Sequence, residues 1–219
     1  MLKAYTGISI ALRAVNEPAV TALGDSPLAT EASDRIDEFT TRLMEDGPWW
    51  FQQATHYASM SAAAGNEKPF AGGEIVTGTT TGCTFYVICI SKNRVWLKYI
   101  DGTIAGTGEV LTGSTTGATM TTNTAYTVID AHTTWSFDIL PEPFAQYIAQ
   151  DAGFDLERQY KRGAVDEQVL GRTVARARAQ AEAFDAGWMG WRTQSQPGSA
   201  QVIRAYQTGP DTVDRFTDD

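Results

Sequence analysis

Two carboxylates stand at matching places in a repeated stretch of this 219-residue chain. Residues 73–84 read GEIVTGTTTGCT and residues 108–119 read GEVLTGSTTGAT, with eight identities in twelve positions at an offset of 35 (108 − 73). Glu74 and Glu109 are therefore equivalent. Two carboxyls facing one groove could perform general acid–base hydrolysis, of glycosides above all. A residue duplicated together with its surroundings usually repeats one structural task, and that is the expectation for this pair.

Other candidates for chemistry are sparse. His56 and His132 are the only histidines, and Cys83 and Cys89 the only cysteines. No Cys-x-x-Cys or His-x-x-x-His spacing accompanies them, so a zinc site is not expected. Six residues on one extended strand would hold the two cysteines about 20 Å apart, against the ~7 Å that a disulfide allows between Cα atoms. Both thiols should be free unless a turn intervenes. The chain has no Gly-x-Ser-x-Gly elbow, phosphate loop or dinucleotide fingerprint. Asp34, Asp37 and Glu38 fall on the polar side of a helical pattern, where carboxylates are ordinarily solvated. The expectation is no enzyme, with no catalytic, metal-binding or cofactor-binding residues.

The elements that would position these residues are read from periodicity. Ile8, Ala11, Leu12 and Val15 give a first short helix ending before Pro18. Ser26-Pro27 is an N-cap followed by proline at the first helical position. Leu28, Ala32, Ile36, Phe39 and Leu43 continue as one apolar stripe, closed at Asp46-Gly47-Pro48 by an expected left-handed stop. Trp49-Trp50-Phe51 follows as an aromatic plug where a helix end meets the next module. Strand-like runs occupy 74–77, 84–90, 94–100, 109–112, 125–130 and 133–139. Gly78…Gly82 and Gly113…Gly117 bracket two Thr-rich hairpin turns, which suggests a small barrel or sandwich built on a pseudo-repeat. Helical period returns at Phe144, Tyr147, Ile148 and Ala152. It is strongest in Leu170, Val174, Ala177, Ala181, Phe184 and Trp188, with Arg172, Arg176 and Arg178 on other faces.

The expected fold is thus α+β. An antiparallel helical bundle comes from the N- and C-terminal flanks (1–68 and 140–192). It carries an inserted small antiparallel β domain (69–139), and an extended C-terminal arm follows (193–219). Val202, Ile203 and Tyr206 make that arm too apolar for a purely solvated tail.

Net charge is −9, and 42% of residues are hydrophobic against 20% charged, a globular balance. No segment is basic overall, which disfavours tight duplex binding. An acidic surface suits a protein that DNA slides past without sticking. The first fifteen residues are too short and too polar for a signal peptide or membrane span. Synthesis in a reducing cytoplasm is expected.

The flanks resemble the tail tubular protein A family, the head-to-tail adaptors of short-tailed bacteriophages. The pattern appears as Ala11-Leu12, Asn16-Glu17-Pro18, Val20 with Leu23, the helix from Leu28, and Gly47-Pro48-Trp49-Trp50-Phe51-Gln52. It resumes at Leu140-Pro141-Glu142-Pro143-Phe144 and over residues 165–188. Two departures stand out: Asn16 replaces a glycine, and Pro48 precedes the tryptophans. The resemblance implies a structural protein of the virion neck. It implies a ring of twelve subunits around the DNA channel, joining the portal to the tail nozzle, with tail fibres as further neighbours and no membrane partner. Subunit or portal contacts would fall to Arg172 and Arg176 and to Val202, Ile203 and Tyr206, while Trp49, Trp50, Phe51 and Trp188 are expected to form a structural aromatic cluster. The competing expectation is a carbohydrate- or receptor-binding tail module displaying Tyr86, Trp96 and Tyr99 on the insert.

Overall fold

A computed structural model of the chain describes residues 4–61, 70–104, 107–129, 135–160 and 167–195. The fold is mixed α+β, with four α-helices and a curled antiparallel seven-stranded sheet among the described residues. The helices are α1 (Ala4–Ala14), α2 (Pro27–Glu45), α3 (Glu142–Tyr160) and α4 (Glu167–Ser195). The strands are β1 (His56–Ser59), β2 (Ile75–Gly78), β3 (Thr84–Ser91), β4 (Arg94–Asp101), β5 (Val110–Gly113), β6 (Thr119–Thr121) and β7 (Thr127–Val128).

Local chemistry starts and stops the helices. The Ser26 hydroxyl accepts from the Leu28 N–H with Pro27 at the first helical position, so α2 begins as its sequence dictates. Its end differs from expectation. Asp46 stays right-handed (φ −66°), its N–H bonds the Arg42 carbonyl, and Gly47 has no positive φ. Pro48 alone is enough to stop the helix, because it has no N–H to continue the ladder. The left-handed residue lies instead after α1, at Asn16 (φ 62°). Asparagine is one of the few residues besides glycine that tolerate that conformation.

α1 packs on α2 and α3, and α3 packs on both α2 and α4. Gly153 sets the α1–α3 spacing: a Cβ there would lie 3.1 Å from both the Cα and the carbonyl oxygen of Ala11. Backbone cannot yield as a side chain can. Gly153→Ala is expected to destabilise by about 1–3 kcal/mol, as overpacking does, despite alanine's better helix propensity. Thermal unfolding of the variant checks this, and a raised melting temperature would contradict the close approach.

The strands run in the order β6-β5-β2-β3-β4-β1-β7. The sheet curls until its ends meet. Met60 bridges Thr122, the Ser61 N–H donates to the Thr121 carbonyl, and the Asn123 N–H donates to the Ser59 carbonyl. β6 and β7 act as one bent run that leaves β5 and returns along β1, almost closing a small barrel. β1 lies before residue 69, so the sheet is not confined to the stretch 69–139 expected for it. His56–Ser59 carries too short an alternation to announce a strand by itself. The expected strand at 133–139 is also absent where described: Phe137–Ile139 forms a 3-10 turn instead.

Helices and sheet share one hydrophobic cluster. A β-bulge in β3 leaves Ile88 unpaired between Val87 and Cys89. The freed Ile88 carbonyl accepts the Trp50 indole N–H at 2.9 Å. Trp96 reaches the other way, donating its indole N–H to the Ile139 carbonyl.

Candidate functional site

The duplicated sequence folds as a duplicated structure related by a local two-fold axis. β2 pairs with β5 in the register Val76↔Gly113, Thr77↔Thr112 and Gly78↔Leu111. Adding 35 to one member of each pair and subtracting it from the other returns the same set, so the axis passes between Thr77 and Thr112. Hydrogen bonds obey it: Gly82 N–H to Gly78 carbonyl matches Gly117 to Gly113, and Thr79 to Val110 matches Ser114 to Ile75. Gly82 and Gly117 take φ values of 70° and 65°, where glycine is favoured.

Glu74 and Glu109 exchange places across this axis. Glu74 Oε1 accepts from the Thr115 and Thr116 N–H groups, both at 2.6 Å, and from the Thr116 hydroxyl. Glu109 Oε1 accepts from the Thr80 and Thr81 N–H groups at 2.9 and 3.2 Å. Each carboxylate therefore closes the turn of the other repeat. Both are buried, at 4% and 2% exposure. This is a structural task done twice, and neither group faces an open groove as an acid–base pair would.

The two-fold breaks at the carboxylates themselves. Glu74 Oε2 accepts from the Ala71 N–H at 2.8 Å and from the Thr116 hydroxyl. Glu109 Oε2 and the Tyr126 hydroxyl are buried with no hydrogen-bond partner among the described residues. Burial, reinforced by nearby Cys83 and Glu109, pushes the Tyr126 phenol well above its ordinary range. Residues 105–106, which precede Glu109 as 70–71 precede Glu74, lie outside the described residues.

The other candidates are placed as follows. His56 is buried against the rings of Phe85 and Tyr99, the three centroids mutually 5.8 Å apart, with Nδ1 2.9 Å from the Thr55 hydroxyl. Burial holds its pKa below 6.5. His132 lies outside the described residues. Cys83 and Cys89 are free and buried, and burial pushes the Cys89 thiol up. Asp34, Asp37 and Glu38 sit on exposed positions of α2. Desolvation first, then Asp34 and Asp138, raises the Asp37 carboxyl. Among the described residues no group of three or more His, Cys, Asp or Glu could hold a metal ion, and no helix is long and apolar enough to cross a membrane. Trp96 is buried at 1% exposure, against the expectation that it is displayed. Tyr99 and Tyr86 are half-buried.

The neutral state of His56 has a pH consequence. The unfolded imidazole titrates near 6.5 and the folded one lower, so below pH 6.5 the unfolded chain binds more protons. Stability should fall as pH drops from 6.5 through the folded pKa. Asp37, Asp151 and Asp185, raised chiefly by burial, act with opposite sign towards the carboxylate range. The difference between wild type and His56→Gln isolates the histidine. Melting curves at pH 7 and pH 5 should converge for that pair at the lower value, and parallel shifts would contradict the assignment.

The aromatic plug is a node joining three parts of the chain. Phe51 is fully buried, with ring centroids 4.7 Å from Phe144 and 5.0 Å from Trp135. Trp49 meets Phe144 edge-on at 5.1 Å and donates its indole N–H to the Leu43 carbonyl. Asp185 of α4 caps the 3-10 turn Trp50–Gln53, accepting from the Trp50 and Phe51 N–H groups at 2.9 and 3.4 Å. Spacing alone gave no sign of Asp185, because the group it serves lies about 135 residues away.

On α4, Ala177, Ala181 and Trp188 are buried, with Val174 and Phe184 partly so. Arg172 and Arg176 are exposed on other faces. Trp188 belongs to the same buried cluster as Trp50 and Phe51, and it lines a groove of about 240 Å³ with Phe70, Thr116, Ala183, Phe184 and Gly187. Val202, Ile203 and Tyr206 lie outside the described residues. No family model matches the chain, and no curated protein matches it.

Proposed function

We propose that the chain is a structural subunit of a virion neck, a head-to-tail adaptor that assembles as a ring between portal and tail nozzle around the DNA channel. The finer architecture in this reading is a helical frame made from both flanks, carrying the small barrel outward towards the nozzle or tail fibres. One observation carries the reading. α1 and α2 pack on α3, and α3 on α4, across about a hundred intervening residues, and these helices with their adjoining turns carry most of the motifs on which the family resemblance rests. The aromatic node at 49–51 lies at their junction with the sheet.

Supporting points are chemical. The pair Glu74 and Glu109 is occupied in turn closure, and a net charge of −9 disfavours tight binding of DNA. A closed ring requires two different patches on each subunit. The exposed Arg172/Arg176 side of α4 and the segment containing Val202, Ile203 and Tyr206 are the candidates. The glycan-binding alternative is weakened by the burial of Trp96.

Light scattering and negative-stain microscopy with purified portal test the proposal. Closed rings on the portal are expected, and deletion of residues 194–219 should weaken the association at least about tenfold, roughly 1.4 kcal/mol. Unchanged affinity would remove the arm from the interface. Absence of any complex with the full chain would remove the adaptor reading.

A further inference from the structure

The groove beside Trp188 has no assigned occupant. Its volume, about 240 Å³, is below the roughly 300–1,000 Å³ of small-molecule sites and suits a few side chains of a polypeptide. Its α4 wall is low. Ala183 is exposed, and a Cβ built on Gly187 would meet nothing within 4 Å, leaving room for a main chain to lie close.

We propose that this groove is the seat of the chain's own C-terminal segment, with Val202, Ile203 and Tyr206 entering beside Phe184 and Trp188. The reach is right. α4 ends at Ser195, and Gln196-Pro197-Gly198 follows directly, a proline and a glycine that stop a helix and favour reversal. From Ser195 back to Trp188 is seven residues of helix and back to Phe184 eleven, about 10 and 16 Å at 1.5 Å per residue. Four or five extended residues after a reversal at 197–198 cover the same distance at about 3.3 Å each. That brings residues 202 and 203 opposite the groove. A short tether also gives the segment an effective concentration of order millimolar, which favours the chain's own tail over a second copy. The inference concerns the isolated chain and does not depend on the adaptor reading. If both hold, assembly would draw the segment out of its seat.

Engineered cysteines in the full chain test it, with Cys83 and Cys89 left buried in place. Ala183→Cys with Ile203→Cys should form a disulfide within one monomer at least tenfold faster than Arg178→Cys with Ile203→Cys, because Arg178 is exposed about 140° round α4 from Ala183. Equal rates, or cross-links only between chains, would overturn the proposal. A second measurement uses Ala183→Glu, an exposed change whose folding is checked by circular dichroism. Trypsin should cut after Arg204 at least tenfold faster in this variant than in wild type. An unchanged rate would show that the segment does not lie in the groove.

Discussion

Glu74→Gln should cost about 2–4 kcal/mol of stability, while Glu109→Gln costs no more than about 1. The two residues are twins in sequence, so composition and burial predict equal effects. The distinction lies in their second oxygens. Both Glu74 oxygens receive donors: two N–H groups and the Thr116 hydroxyl at Oε1, and the Ala71 N–H at Oε2. An amide NH₂ in either orientation meets another donor, and buried donors left unpaired cost about 1–3 kcal/mol each. In Glu109→Gln the carbonyl can keep the Thr80 and Thr81 bonds while the NH₂ replaces an oxygen that has no partner among the described residues. The corresponding glycines report the same contacts sterically. A Cβ on Gly113 would come within 2.5 Å of Glu74 Oε1, and one on Gly78 within 2.4 Å of Glu109 Oε1. Urea unfolding of the two glutamine variants decides the matter, and equal losses would show that the asymmetry at the second oxygen has no energetic weight.

Phe51→Ala should cost about 3–5 kcal/mol, the range for removing a fully buried aromatic ring. The side chain is 0% exposed and touches Phe144 of α3 and Trp135 ahead of it. Its neighbour Trp50 is tied to the sheet through Ile88 and to α4 through Asp185. Loss at this node should therefore weaken helices and sheet together. Far-ultraviolet dichroism, dominated by the helices, and the Trp96 indole N–H resonance, which reports the sheet, should be lost in one shared transition shifted to lower temperature. Two separated transitions, with only the helical one shifted, would show that the sheet folds independently of its frame.

How much of this was legible before the fold was known depends on the range of each interaction. α2 was readable almost residue by residue, because its cap, proline and apolar stripe act within a few positions. The two hairpins were readable because duplication supplies its own control: glycines that recur at fixed offsets mark turns. β1 was not readable, since four residues gain strand character only from β4 and β7 beside them. The crossing of Glu74 and Glu109 was also hidden. Equivalence was visible in the letters, but reciprocity requires β2 and β5 to pair about an axis, a long-range event. The burial of Trp96 was missed because a strand within a curled sheet backed by helices is covered on both faces, which alternation cannot report.

The adaptor assignment joins local packing to assembly, and the particle itself gives the most direct test. Cryo-electron microscopy of intact particles carrying this polypeptide, with its copies located by antibody or tag, should show them as a closed ring directly beneath the portal. Particles with a complete neck from which this polypeptide is missing, or copies found only at distal fibres, would contradict the account.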